Sequence, residues 1–158
     1  VAHLTHLTCP QELNIELDGD VGAGLLDLSG LTTLTKLDTD RWPVTRLPTS
    51  LVECRVSLGN DTDFSRFTCL TSLAVFLEWE LRLTFPAGLK KLVVIEGELG
   101  DSNISDIALE DFVYPWAHPL TPGDLEKLPK TLRTIFGLFN PKALKEQLGE
   151  FFPLLEDS

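Results

Sequence analysis

One segment of this chain occurs twice. The stretch Asp27 to Leu37, DLSGLTTLTKL, aligns with Asp63 to Leu73, DFSRFTCLTSL, at an offset of 36 residues. A second kind of unit carries Pro-x-x-Leu, at Pro10 with Leu13, Pro48 with Leu51, Pro86 with Leu89 and Pro129 with Leu132, the prolines lying 38, 38 and 43 residues apart. The two units alternate. Self-similarity at such a period constrains the fold more than composition does, because one unit cannot bury its apolar face alone and must stack on its neighbours.

Each unit ends in the pattern L-x-x-L-x-V. In a strand, successive side chains point to opposite faces, so the residues in the fourth and sixth slots point inward together. The windows are LTKLDT from Leu34, LVECRV from Leu51, LTSLAV from Leu70, LKKLVV from Leu89, LEDFVY from Leu109 and LRTIFG from Leu132, with starts 17, 19, 19, 20 and 23 residues apart. A looser copy, LNIEL from Leu13, precedes Leu34 by 21 residues. This predicts about seven short strands, each too short to be stable without neighbours. Behind them, Leu28, Leu31, Phe64, Phe67, Leu83 and Phe85 are spaced to bury a second apolar row. The phenylalanines are accordingly expected in the core. The unit also explains the composition, in which 31 of 158 residues are leucine and none is methionine.

From about Thr8 to Gly137 the chain resembles the leucine-rich repeat family. The alternation of a Pro-x-x-Leu unit with an LT-x-LT-x-L unit is similar to protist-type repeats. The resemblance implies an α/β but β-rich repeat fold, a right-handed solenoid whose concave face is a parallel sheet and which generally holds a protein partner. Two departures stand out. The family's usual Asn or Cys after the strand is mostly missing, so other groups must satisfy the turn backbone there. The units are short for the family, leaving little room for regular helices, and irregular or 3₁₀ turns are expected on the convex side.

The two ends differ. Thr121 followed by Pro122 has the form of a helix start, predicting a short helix from Pro122 to Leu128. Asn140-Pro141 repeats that form, and Leu144, Leu148, Phe151 and Phe152 share a helical face, which reads as a cap over the last strand. The expected organisation is a solenoid over 1–137 and a capping helix over 138–158, in one domain, as suits 158 residues. The chain starts inside a repeat, with Leu4 and Leu7 already in core-like positions, so a longer parent protein or a lost N-terminal cap is expected.

Charge limits the partners. Thirteen Lys and Arg against 24 Asp and Glu give −11, which argues against nucleic acid and anionic membrane, since both are met by cations. A protein or peptide, at least partly basic, suits the chain better. Acidic pairs recur at Asp18/Asp20, Asp38/Asp40, Asp61/Asp63, Glu78/Glu80 and Glu96/Glu98. They read either as solvated loop acids or as an acidic rim that steers a basic partner. Trp42, Trp79 and Trp116, 37 residues apart, read as packing over strand ends or as partner contacts.

Little in the sequence suggests chemistry. Cys54 falls in an inward slot and Cys9 in a core-like one, both as small hydrophobes, and Cys69 lacks a base to activate it. His3 and His6 would need a further zinc ligand, for which only Cys9 is near. GDVGAG, at 19–24, has neither phosphate-loop nor dinucleotide spacing. No enzyme activity, cofactor or metal is expected. The thiols favour an intracellular, cytoplasmic setting, while the sequons at Asn60 and Asn103 leave an extracellular one open.

The third and fifth slots point outward. They hold Lys36/Asp38, Glu53/Arg55, Ser72/Ala74, Lys91/Val93, Asp111/Val113 and Thr134/Phe136, with polarity falling along the series. Val93, Val113 and Phe136 make an apolar strip on an otherwise wet face, which either a partner or the segment from Pro115 to Leu128 would cover. The expected function is therefore a non-enzymatic interaction module that binds on its concave face through Arg55, Lys91, Val93, Asp111 and Val113. The alternatives are a structural or capping segment of a longer repeat protein, or the recognition part of an adaptor or regulatory protein. The oligomeric state is left open.

Overall fold

The computed structural model describes residues 11–15, 26–58, 62–77, 81–96, 99–114, 122–136 and 152. In chain order its strands are β1 (Glu12–Asn14), β2 (Leu26–Asp27), β3 (Lys36–Arg46), β4 (Glu53–Leu58), β5 (Thr62–Asp63), β6 (Ser72–Leu77), β7 (Leu81–Thr84), β8 (Lys91–Glu96), β9 (Leu99–Ser102), β10 (Asp111–Val113) and β11 (Thr134–Phe136). A 3₁₀ turn at Ile104–Asp106 and a helix, α1 (Pro122–Lys127), complete the described elements.

Seven strands form a front sheet in the order β1-β3-β4-β6-β8-β10-β11, with every neighbouring pair parallel. Parallel neighbours require the chain to return behind the sheet between strands, and repeating that return makes a solenoid. The repeat pattern also fixes the register. Leu37, Cys54, Leu73, Leu92, Phe112 and Ile135 stand side by side across the sheet. Leu13 pairs with Leu37, which places it in the fourth slot and not in the first. The sequence window at LNIEL was thus three residues out of phase. That unit has proline, not leucine, at its first slot, and spacing alone took the next leucine in its place.

The inward slots build the core. First-slot Leu34, Leu51, Leu70, Leu89, Leu109 and Leu132 are all at most 1% exposed. Burying such a side chain is worth roughly 1.5–3 kcal/mol relative to leaving it in water, so a ladder of them dominates the energetics. The sixth-slot row is Thr39, Val56, Val75, Val94 and Tyr114, all buried. Thr39, the polar member of that row, donates its hydroxyl to the Arg55 carbonyl at 3.3 Å. The expected rear row is present too: Leu28, Phe64, Phe67, Leu83 and Phe85 are buried, and Leu31 packs against them.

Where strands begin, one carbonyl per unit takes two amides from the next. Gln11 O accepts from Thr35 and Lys36, Thr35 O from Val52 and Glu53, Val52 O from Thr71 and Ser72, and Thr71 O from Lys90 and Lys91. Lys90 O and Glu110 O continue the series. Hydroxyls reinforce it, with Ser50 Oγ donating to Leu34 O at 2.6 Å and Thr131 Oγ1 to Leu109 O at 2.7 Å. This explains why Ser and Thr crowd around the first-slot leucines. Residues 59–61, 78–80 and 97–98, which follow β4, β6 and β8, lie outside the described residues.

The reverse side holds the turns expected there and, besides them, short parallel strands. β5, β7 and β9 form a three-stranded sheet, and β2 pairs with the far end of β3. Units this short leave room for only two to four paired residues before the chain turns. The turns are one 3₁₀ step each, with Leu31 N on Leu28 O and Leu34 N on Leu31 O, repeated by Phe67 on Phe64 and Leu70 on Phe67. The Asp-x-Ser of the repeated segment starts them, since Asp27 Oδ1 accepts from the Ser29 amide at 3.0 Å and Asp63 Oδ1 from the Ser65 amide at 2.8 Å. The Ser65 hydroxyl and amide hold the Asp63 carboxyl below the ordinary carboxylate range.

Toward the C-terminus α1 takes the place of such a turn, burying Leu125 and Leu128 in the common core. Of the expected cap over 138–158 only Phe152 is described. It is buried in that core, with the Lys130 ammonium 5.3 Å from its ring centroid.

Candidate interaction face

The alternation that buries the fourth and sixth slots turns the third and fifth outward, and the register lines them up. The third-slot row runs Glu12, Lys36, Glu53, Ser72, Lys91, Asp111, Thr134. The fifth-slot row runs Asn14, Asp38, Arg55, Ala74, Val93, Val113, Phe136. All five residues expected to touch a partner therefore share one face. Lys91 sits directly beside Asp111 and Val93 beside Val113, while Arg55 stands two strands away across Ala74. Arg55 and Lys91 are exposed; Val93, Asp111 and Val113 are half-buried.

The first half of this face is charged and paired within itself. Lys36 Nζ lies 3.7 Å from Glu53 Oε2, and Arg55 Nη1 lies 3.5 Å from Asp38 Oδ2. Further along, Lys90 Nζ meets Glu110 Oε1 at 2.9 Å. Exposed pairs of this kind are worth about 0–1 kcal/mol each, so their main effect is to neutralise the surface. Over the second, third and fifth slots, cations Lys36, Arg55, Lys90, Lys91 and Arg133 balance carboxylates Glu12, Asp38, Glu53, Glu110 and Asp111. In a chain of net charge −11, these three rows together carry no net charge.

The second half is apolar. Ala74, Val93, Val113 and Phe136 follow one another across β6, β8, β10 and β11. Phe136 is 62% exposed. Of the Pro115 to Leu128 segment, the alternative cover for this strip, Leu125 and Leu128 lie in the core and residues 115–121 lie outside the described residues. Two residues of this face were not foreseen. Ser57 and Phe76, adjacent in the seventh slot, point outward by alternation yet are buried, and the Arg55 guanidinium lies 5.3 Å from the Phe76 ring centroid. The window L-x-x-L-x-V stops one residue short of that slot.

The remaining candidates scatter. Of the acidic pairs, Asp38 faces outward against Arg55, whereas Asp63 closes a turn on the reverse side, so these two share no row. The tryptophan side chains, His3, His6, His118, Cys9 and GDVGAG lie outside the described residues. Cys54 is buried in its inward slot, where desolvation, with the Asp38 charge second, pushes its thiol up to about 12; Cys69 is exposed. Asn103, read as a glycosylation sequon, has another use. Its Oδ1 accepts from Phe85 N at 2.7 Å and its Nδ2 donates to Phe85 O at 3.0 Å, so the amide bridges two units. Among the described residues no group of three or more His, Cys, Asp or Glu is placed to hold a metal ion, and no helix is long and apolar enough to cross a membrane. Compared with known protein families, curated proteins and solved structures, the chain matches none.

Proposed function

We propose that this chain is a leucine-rich-repeat module without catalytic activity that binds a protein or peptide on the outward face of its front sheet. The observation that carries the reading is the continuous apolar row from Ala74 to the exposed Phe136, beside a half of paired charges, on a sheet whose third to fifth slots are in register. Preformed rows need little ordering on binding, which favours affinity from a modest contact area. An apolar centre with a polar border is also the usual anatomy of a protein interface. Because the second-, third- and fifth-slot rows balance, attraction of a basic partner falls to acids outside them. An intracellular setting accompanies this reading, supported by the free thiols of Cys54 and Cys69 and by the engaged amide of Asn103.

The test is affinity capture from source-cell lysate at low and high salt, with the native chain and a Val93→Glu, Val113→Glu variant whose fold is checked by circular dichroism. The reading expects a protein that the native chain retains and the folded variant loses, with retention weakening as salt rises. Identical capture by both forms would sink it.

A further inference from the structure

We propose that the partner on this face is a second copy of the chain, docked face to face about a twofold axis that runs along the strands between β8 and β10. This rests on the reading of the outward face as an interaction surface, and it names the occupant. Such an axis sets β8 of one copy over β10 of the other, and β6 over β11, with slots at equal height meeting. In the third-slot row Lys91 then faces Asp111 of the other copy, and Ser72 faces Thr134. In the fifth-slot row Val93 faces Val113, and Ala74 faces Phe136.

Both rows are self-complementary under this operation. Opposite charges meet twice, once at each symmetry-related position, as an isologous interface requires. Lys91 is exposed and has no ion pair among the described residues, and so is available. Asp111 accepts the Thr134 hydroxyl on one carboxylate oxygen at 2.5 Å, which leaves the second oxygen for a cation. Size matches as well: the largest and most exposed side chain of the apolar row, Phe136, meets the smallest, Ala74. Shifting the axis removes the match. Along β8 Lys91 would face its own copy, and between β6 and β8 Asp111 would face Glu53. Between β3 and β4 opposite charges would meet, but Lys36, Glu53, Asp38 and Arg55 are already paired within the chain and no apolar residue lies among them. The balance of charge across the second-, third- and fifth-slot rows favours the approach of two chains of −11 there.

The experiment is analytical ultracentrifugation of the chain from about 1 µM to 1 mM, the range in which a small interface of this kind associates. The native chain is expected to reach dimer mass. Lys91→Glu alone and Asp111→Lys alone each place like charges together twice and weaken the dimer roughly tenfold or more. An equimolar mixture of the two variants restores it, because each introduced charge then faces its opposite. Contacts within one chain cannot produce that rescue. Phe136→Ser, at an exposed position where folding is not at stake, weakens the dimer without altering charge. A native chain that stays monomeric, variants that dimerise like the native chain, or a mixture that stays monomeric would each overturn the proposal. If the native chain is monomeric while lysate capture still yields a protein lost by the Val93→Glu, Val113→Glu variant, the second copy is excluded and the face stands. If both fail, the face itself is refuted.

Discussion

Cys54 illustrates how a slot in the stack dictates the chemistry of a side chain. It occupies the fourth slot between Leu37 and Leu73, and burial there raises its thiol from the ordinary 9.0 to about 12. A folded-state value above the unfolded one stabilises the fold fully below pH 9, and the contribution is lost as pH climbs from about 9 toward 12, where the unfolded chain ionises first. The melting temperature should therefore fall over that window less steeply in Cys54→Val than in the native chain. Parallel slopes would contradict it. A thiol reagent at pH 8, applied to a Cys9→Ser background, should label exposed Cys69 at once and Cys54 only on unfolding; equal labelling rates would place Cys54 at the surface. The inward slot of Cys54 was legible from period-two alternation. The double hydrogen bond of Asn103 was not, although a signal existed: Asn103-Ile-Ser105-x-Ile107 is a third copy of Asp27-x-Ser29-x-Leu31 and Asp63-x-Ser65-x-Phe67. Substitution of Asp by Asn hid it behind a sequon.

Between units, stability comes from shared ladders, and the elements differ in how readily they could be foreseen. Front strands were legible from Leu34 onward because leucine fills every first slot and an apolar residue every fourth; the first strand was misplaced where proline breaks that code. The paired rear strands, two to four residues each, carry too little pattern to be read from sequence, and their pairing follows from the stacking itself. Two substitutions test the ladders. Leu92→Ala, at a position with 0% exposure between Leu73 and Phe112, should cost about 2–5 kcal/mol by the transfer and cavity terms together, read as a lower denaturant midpoint. Asn103→Asp keeps an acceptor for Phe85 N but sets a carboxylate oxygen against Phe85 O. It should cost about 1–3 kcal/mol, and more than Asn103→Ser, which can still donate. A neutral result for either would mean that the units are not coupled there.

At the scale of the whole molecule, the strand alternation assigns two tasks, with the fourth and sixth slots joining the first-slot leucines in the core and the third and fifth slots forming the presented face. The location of that face was readable in the sequence, as was its drift from charged to apolar. Its pairing was not, because Lys36 with Glu53 and Asp38 with Arg55 become neighbours only through a register between units 17 residues apart. The most direct measurement compares two charge-altered surfaces in one capture assay. One variant carries Lys91→Glu with Val93→Glu on the front sheet, and the other carries Arg66→Glu with Lys127→Glu on the reverse turns, both verified as folded. The account requires the front variant to lose the captured protein, be it a second copy or another chain, and the reverse variant to keep it. Loss from the reverse variant alone would contradict it and move the interaction to the other side of the solenoid.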